Sequence, residues 1–261
     1  MRGGGELASA AARLLFLAGF PVVVLERPAP VAVRRLVSFA QAVFSGEACV
    51  EGVPARLVDP SAVAAALASG AFVPVLVDPD GAWLAGAGAG IVVDGRMAKR
   101  NLGTRLDQAP LVIALGPGFA AGVDVHAVVE TQRGPSLGSV RWQGRAEADT
   151  GEPASVRGES ARRVLRAPRA GAFQGRCRIG EVVAAGAVVG DVGGDPVTAL
   201  VPGMIRGLLA DGVTVACGEK VGDVEPRGAA VDPARISDKA RSVAAGVLEA
   251  ALIGPSGSRT T

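Results

Sequence analysis

The chain has 261 residues, 49% of them hydrophobic, 20% charged and 3% aromatic, with a formal net charge of +2. That balance excludes a disordered chain, and so small a net charge gives no bulk electrostatic reason to expect nucleic acid or a membrane surface as a partner. Cys49, Cys177 and Cys217 show no paired spacing and His126 is the single histidine, so neither a disulfide framework nor a zinc cage is expected and no metal site is assigned.

No apolar run approaches the ~20 residues needed to span a bilayer. The start carries glycines and an acid where a signal peptide would carry a clean apolar core, so a cytoplasmic location is expected.

In chain order, Gly3-Gly4-Gly5 reads as a tight turn. Glu6 to Ala18 is apolar on most faces, as in a buried helix, and Gly19 sits where a helix-ending residue belongs. Pro21 to Glu26 reads as a strand with the continuous hydrophobic character of a parallel sheet. After Pro28 and Pro30, the positions Val33, Leu36, Val37, Ala40 and Val43 fall at helical spacing and predict a second helix. Ala62 to Ser69 reads as a short helix. Strands are expected at Val73 to Val77, Gly90 to Val93 and Leu111 to Leu115, followed by Asp78, Asp94 and Gly116-Pro117-Gly118. Strands followed by Asp or Gly are an α/β pattern.

Past Arg133 the texture becomes polar and glycine-rich, then short strands and turns from Arg163. The segment Gly180 to Val192 aligns with Gly212 to Val224, each reading as strand, glycine turn, strand. Two such hairpins resemble the barrel-sandwich fold of biotinyl and lipoyl carriers. Those need a lysine at the central tip, and Gly193-Gly194-Asp195 has none, so carrier function is rejected. Residues 235–252 return to helix, and 254–261 read as a disordered end.

The expected fold class is therefore α/β: a Rossmann-like parallel sheet domain, then a small β-rich barrel-sandwich-like module, then a C-terminal helix. The expected boundaries are 1–134, a linker at 135–162, the module at 163–228, and helix with tail at 229–261. Only Met1 and Arg2 precede the glycine turn, so the first Rossmann strand is expected to be cut short.

The chemistry is expected at three places. Gly3, Gly4, Gly5, Glu6, Leu7 and Ala8 fit G-x-G-x-x-A, in which glycines let a pyrophosphate approach the backbone and helix amides face the anion. Glu26 ends the next strand, where an acid takes a ribose hydroxyl. Arg96, Lys99, Arg100 and Asn101 follow a strand end; they form either an oxyanion site or a solvated helix start. Gly116, Pro117, Gly118 and Phe119 form a second glycine loop. Behind it Asp124, His126 and Glu130 are either an acid/base group or structural residues. Cys177 and Cys217 read as small buried apolar residues.

The stretches RGGGELAS, VRRLVSFAQAVFSGE, GRMAKRNLGT, ALGPGFAAGVDVHAVVETQRG, KVGDVEPR and ISDKARSVAAGVLEA resemble the YqeB family nearly end to end. That resemblance implies an accessory protein that matures a selenium-dependent molybdenum hydroxylase or its cofactor, with a kinship of role to XdhC-type factors. It implies a dinucleotide ligand, such as molybdenum cofactor, and the hydroxylase as partner. It supplies no catalytic residue. Two other readings stand beside it: an NAD-dependent oxidoreductase, with Glu26 favouring NAD, and a non-catalytic scaffold whose β-rich module docks the hydroxylase.

Overall fold

The structure is a computed structural model that describes residues 1–151 and 156–254. The helices are α1 (Glu6–Leu17), α2 (Ala42–Ser45), α3 (Val63–Ser69), α4 (Leu84–Ala87) and α5 (Asp238–Ile253). The first-half strands are β1 (Val24–Glu26), β2 (Glu47–Val50), β3 (Val53–Leu57), β4 (Val73–Val77), β5 (Ile91–Asp94), β6 (Leu111–Leu115), β7 (Ala120–Ala121), β8 (Ala127–Val129), β9 (Val140–Arg141) and β10 (Gly144–Arg145). The second-half strands are β11 (Val164–Arg166), β12 (Gly171–Gly175), β13 (Val182–Val183), β14 (Val188–Val192), β15 (Asp195–Thr198), β16 (Gly203–Leu208), β17 (Thr214–Val215) and β18 (Lys220–Glu225).

Helix α1 forms because its small apolar face packs: Ala8, Ala11 and Ala12 are fully buried. It ends in a glycine motif with positive φ at Gly19. The Gly19 N–H reaches the Phe16 carbonyl and the Phe20 N–H reaches that of Leu15, satisfying two otherwise orphaned carbonyls. Helix α5 starts at Ser237, whose hydroxyl accepts from the Ala240 N–H. Its buried residues join those of α1 in one apolar cluster with Val24, Val75, Val93 and Ile113.

The strands run β1-β4-β3-β2 in one sheet and β5-β6-β8-β9 in another, parallel except for the antiparallel edges β2 and β9. Arg2 bridges the two sheets, pairing with Leu25 on one side and Asp94 on the other. The second half holds two four-stranded antiparallel sheets, β11-β18-β16-β13 and β15-β14-β12-β17, around a separate apolar cluster centred on Phe173, Ile205 and Leu208.

These findings correct the expected fold class. The described residues form a mixed α/β structure of five sheets, mostly strands, and not a Rossmann-like domain followed by a barrel-sandwich-like module; the expected C-terminal helix is present as α5. Parallel and antiparallel strands share the first-half sheets. Few helices cover them, because α2 and α4 are single turns. Helix α5 does not trail behind the second half but returns to pack on α1, where its apolar face has a partner. The two repeats do not each make a hairpin within one sheet: β13 and β18 lie in one sheet, β14 and β17 in the other.

The predicted second helix is also corrected. Residues 35–45 form two short 3-10 turns and the single turn α2. Tertiary bonds take the backbone and side chains a longer helix would use: the Leu208 N–H donates to the Val33 carbonyl, and Arg34 donates to the Pro233 and Arg235 carbonyls. The tail read as a disordered end lies, from residue 255 on, outside the described residues. No helix among the described residues is long and apolar enough to cross a membrane.

Candidate functional site

A cavity of about 810 Å³ opens where β1 and β5 end, at the N-terminus of α1, and Lys220 from the second half also lines it. Crevices at strand carboxyl ends are where open parallel sheets hold ligands. Gly3, Gly5, Glu6, Leu7, Glu26 and Arg96 line it, so the structure brings these sequence-predicted residues together.

The three glycines serve different ends. Gly3 has φ +91°, and a Cβ there would lie 3.2 Å from the Arg96 backbone. At Gly4 a Cβ would meet the Ala40 nitrogen at 2.8 Å, so this glycine lets the chain after β1 pack close. Gly5 is the N-cap of α1; no side chain caps the helix, and a Cβ at Gly5 would meet nothing within 4 Å. Ala8 is buried against Gly95, whose own Cβ would strike it at 2.7 Å.

Glu26 closes the turn by accepting from the Gly4 N–H at 2.7 Å and the Arg27 N–H at 2.8 Å. Burial pushes its carboxyl above the ordinary value, against the pull of those two bonds. Glu6 accepts from Arg34 Nη1 and from the Ser237 N–H, tying α1 to the start of α5.

The basic segment divides. Arg96 folds onto the buried Asp94, with Nε to Oδ1 at 3.1 Å and Nη2 to Oδ2 at 2.7 Å, and also reaches Thr104. Burial works to raise the Asp94 carboxyl, but the bonds from Arg96 and Thr104 outweigh it and hold it low. Lys99 pairs with Asp149, Arg100 is exposed, and Asn101 closes a local turn with Thr104. None of these last three lines the cavity.

The second glycine loop serves packing. A Cβ at Gly118 would meet the Arg100 nitrogen at 2.5 Å, and one at Gly116 would overlap Thr131. Pro117 is half-buried between them, and Phe119 sits in a small apolar cluster with Val112 and Val128. Asp124 accepts from the Ala120 N–H at 2.8 Å, and His126 Nδ1 from the Val112 N–H at 2.9 Å. Glu130 is fully buried, accepting from the Thr131, Gln132 and Glu147 N–H groups and from Arg141. The three bond to separate backbone partners, not to each other. The cysteine expectation is corrected: Cys217 is exposed and Cys177 half-buried, because each sits in a turn region and not on a core-facing strand position.

Arg34 and Lys220 are among the cavity residues that sequence reasoning missed. Arg34 is 6% exposed, and Lys220 comes from β18 in the second half. The lysine's place at the start of the second repeat's last strand was visible, but which sheet end it would face was not.

No protein-family model matches the chain. Over 253 residues it is 48% identical to the Escherichia coli (strain K12) protein named Uncharacterized protein YqeB, covering 97% of this chain and 47% of that protein. By sequence, the chain is similar to that YqeB protein over nearly its whole length. It spans about half the length of that relative. Three solved structures give partial matches. An aspartoacylase family protein from Mesorhizobium loti is 19% identical over 31% of this chain and 27% of its own, with TM-score 0.24. A succinylglutamate desuccinylase/aspartoacylase from Rhodobacter sphaeroides is 27% identical over 25% and 23%, with TM-score 0.22. The ectoine utilization protein EutE from Ruegeria pomeroyi is 18% identical over 32% and 27%, with TM-score 0.23.

Proposed function

We propose that the cavity binds a nucleotide-bearing small molecule, and that the chain is an accessory protein in the maturation of a selenium-dependent molybdenum hydroxylase. The observation that carries the binding is the Gly5 end of α1, which is uncapped, sterically open and faces the 810 Å³ cavity. Free amides and the positive end of the helix dipole favour a phosphate there. Glu26 shares the cavity and can take a ribose hydroxyl. Molybdenum cofactor in its dinucleotide form belongs to this chemical class, and the hydroxylase is the partner that the YqeB resemblance implies. The chain's residues bind and orient in this reading; no bond is made or broken.

The test is mass spectrometry of small molecules released from the full chain, purified from cells that make molybdenum cofactor. Release of a stoichiometric nucleotide or pterin dinucleotide is expected. Nucleotide-free protein that also fails to bind added ADP would overturn the reading.

A further inference from the structure

The second half contributes Lys220 to the lining of the cavity. The Leu208 N–H bonds the Val33 carbonyl at 2.8 Å, and Arg35 Nε bonds the Leu208 carbonyl at 2.8 Å. These bonds fix β16 and its neighbour β18 against the segment that follows β1. Lys220, the first residue of β18, thereby becomes a cavity residue.

The cavity's cations are not equally free. Arg2 donates to Thr104 and the Asp80 carbonyl, Arg96 is held by Asp94, Arg34 reaches Glu6 and two carbonyls, and Arg27, also a lining residue, is exposed beside Glu26. Lys220 Nζ pairs with Asp223 at 3.7 Å, beyond hydrogen-bond distance, and Asp223 is itself bonded to Arg163. Its ammonium thus retains donors for a ligand. Arg34, a lining residue from the segment after β1, is more than nine-tenths buried and has an Nε with no partner among the described residues.

Charge supports the placement. Burial pushes the Lys220 amine down, and the charges that act on it include Glu6, the first residue of α1, and Arg34.

We infer that Lys220 is a ligand-binding residue of the glycine-turn cavity, donating to the phosphate groups of a nucleoside diphosphate, so that the second half completes the site. This rests on the proposed nucleotide binding. A lysine serves here as a point charge with rotatable donors, suited to a pyrophosphate that changes position as it enters.

The probes are ADP, inorganic pyrophosphate and adenosine, titrated calorimetrically into the full chain. Lys220→Met is expected to weaken ADP and pyrophosphate at least about tenfold, the loss of one charge-assisted contact. Lys220→Arg should stay within a few-fold of wild type, and adenosine should not respond to either change. Wild-type ADP affinity in Lys220→Met overturns the inference and leaves the proposed function standing. A wild-type chain that binds no ADP overturns both. Should Lys220→Met fail to fold, acetylation footprinting of the wild-type chain decides: pyrophosphate must protect Lys220 while leaving the exposed Lys99 reactive.

Discussion

The Gly4 N–H donates to Oε2 of Glu26 at 2.7 Å, so the glycine turn and the end of β1 are fastened by an acid the sequence reserved for a ribose. Burial raises that acid's carboxyl above its ordinary 4.5. A raised folded pKa means that its stabilisation is complete below the unfolded value and is lost as pH rises through the folded one. Glu26→Gln does not titrate and is expected to flatten that decline. Urea melts of both proteins from about pH 4 to about pH 8 measure it; superimposable stability profiles would reject the assignment.

Gly5 offers a separation of stability from binding. Its φ of −69° and ψ of 179° suit any N-cap residue, and nothing crowds its Cβ position. Gly5→Asp is expected to cap α1 and raise stability by a few tenths of a kcal/mol. The same carboxylate would occupy the amides and repel a phosphate, so ADP affinity should fall at least about tenfold. A melt paired with an ADP titration checks both signs. Unchanged affinity in a folded Gly5→Asp chain would remove the helix end from the site.

What could be read in the sequence was local. Helix α1, its glycine ending, the strands at β4 and β6, and helix α5 each follow from neighbouring residues and appear within a few residues of the expected bounds. The hairpin β2–β3 was missed although its signal is local too: Glu51 and Gly52 both have positive φ, the backbone of a two-residue hairpin turn. The helix expected over Val33 to Val43 failed because long-range bonds to Leu208, Pro233 and Arg235 outcompete its own. The site divided in the same way. Gly5 and Glu26 follow from spacing, whereas Lys220 is brought in by long-range bonds from Val33 and Arg35 to Leu208 of β16, the strand paired with β18.

Arg96 is a structural cation before it is an anion site. Arg96→Met would strand the Asp94 carboxylate, 1% exposed, at a cost of about 3–5 kcal/mol, the usual penalty for breaking a buried pair. Arg100→Ala, on the exposed loop, should change stability by no more than about 0.5 kcal/mol. The Asp94 carboxyl is held low, so its stabilisation is present above the unfolded value of 3.8 and lost as pH falls through the folded value. The deficit of Arg96→Met should therefore shrink in acid. Equal melting of the two variants at neutral pH would contradict the ion pair's role.

Gly246 tests the contact on which α5 returns to the first half. Alanine in the middle of a helix normally stabilises by about 1 kcal/mol relative to glycine. Here a Cβ would overlap the Gly138 carbonyl oxygen and stand 2.8 Å from Val129 Cγ1, backbone and core that cannot swing aside. Gly246→Ala is expected to reverse the sign and destabilise by about 1–3 kcal/mol. Gly86, in α4, has nothing within 4 Å of its Cβ position, and Gly86→Ala should be neutral or slightly stabilising. Denaturant midpoints of the two variants decide the matter. A Gly246→Ala chain as stable as wild type would mean that α5 stands farther from Gly138 than the structure places it.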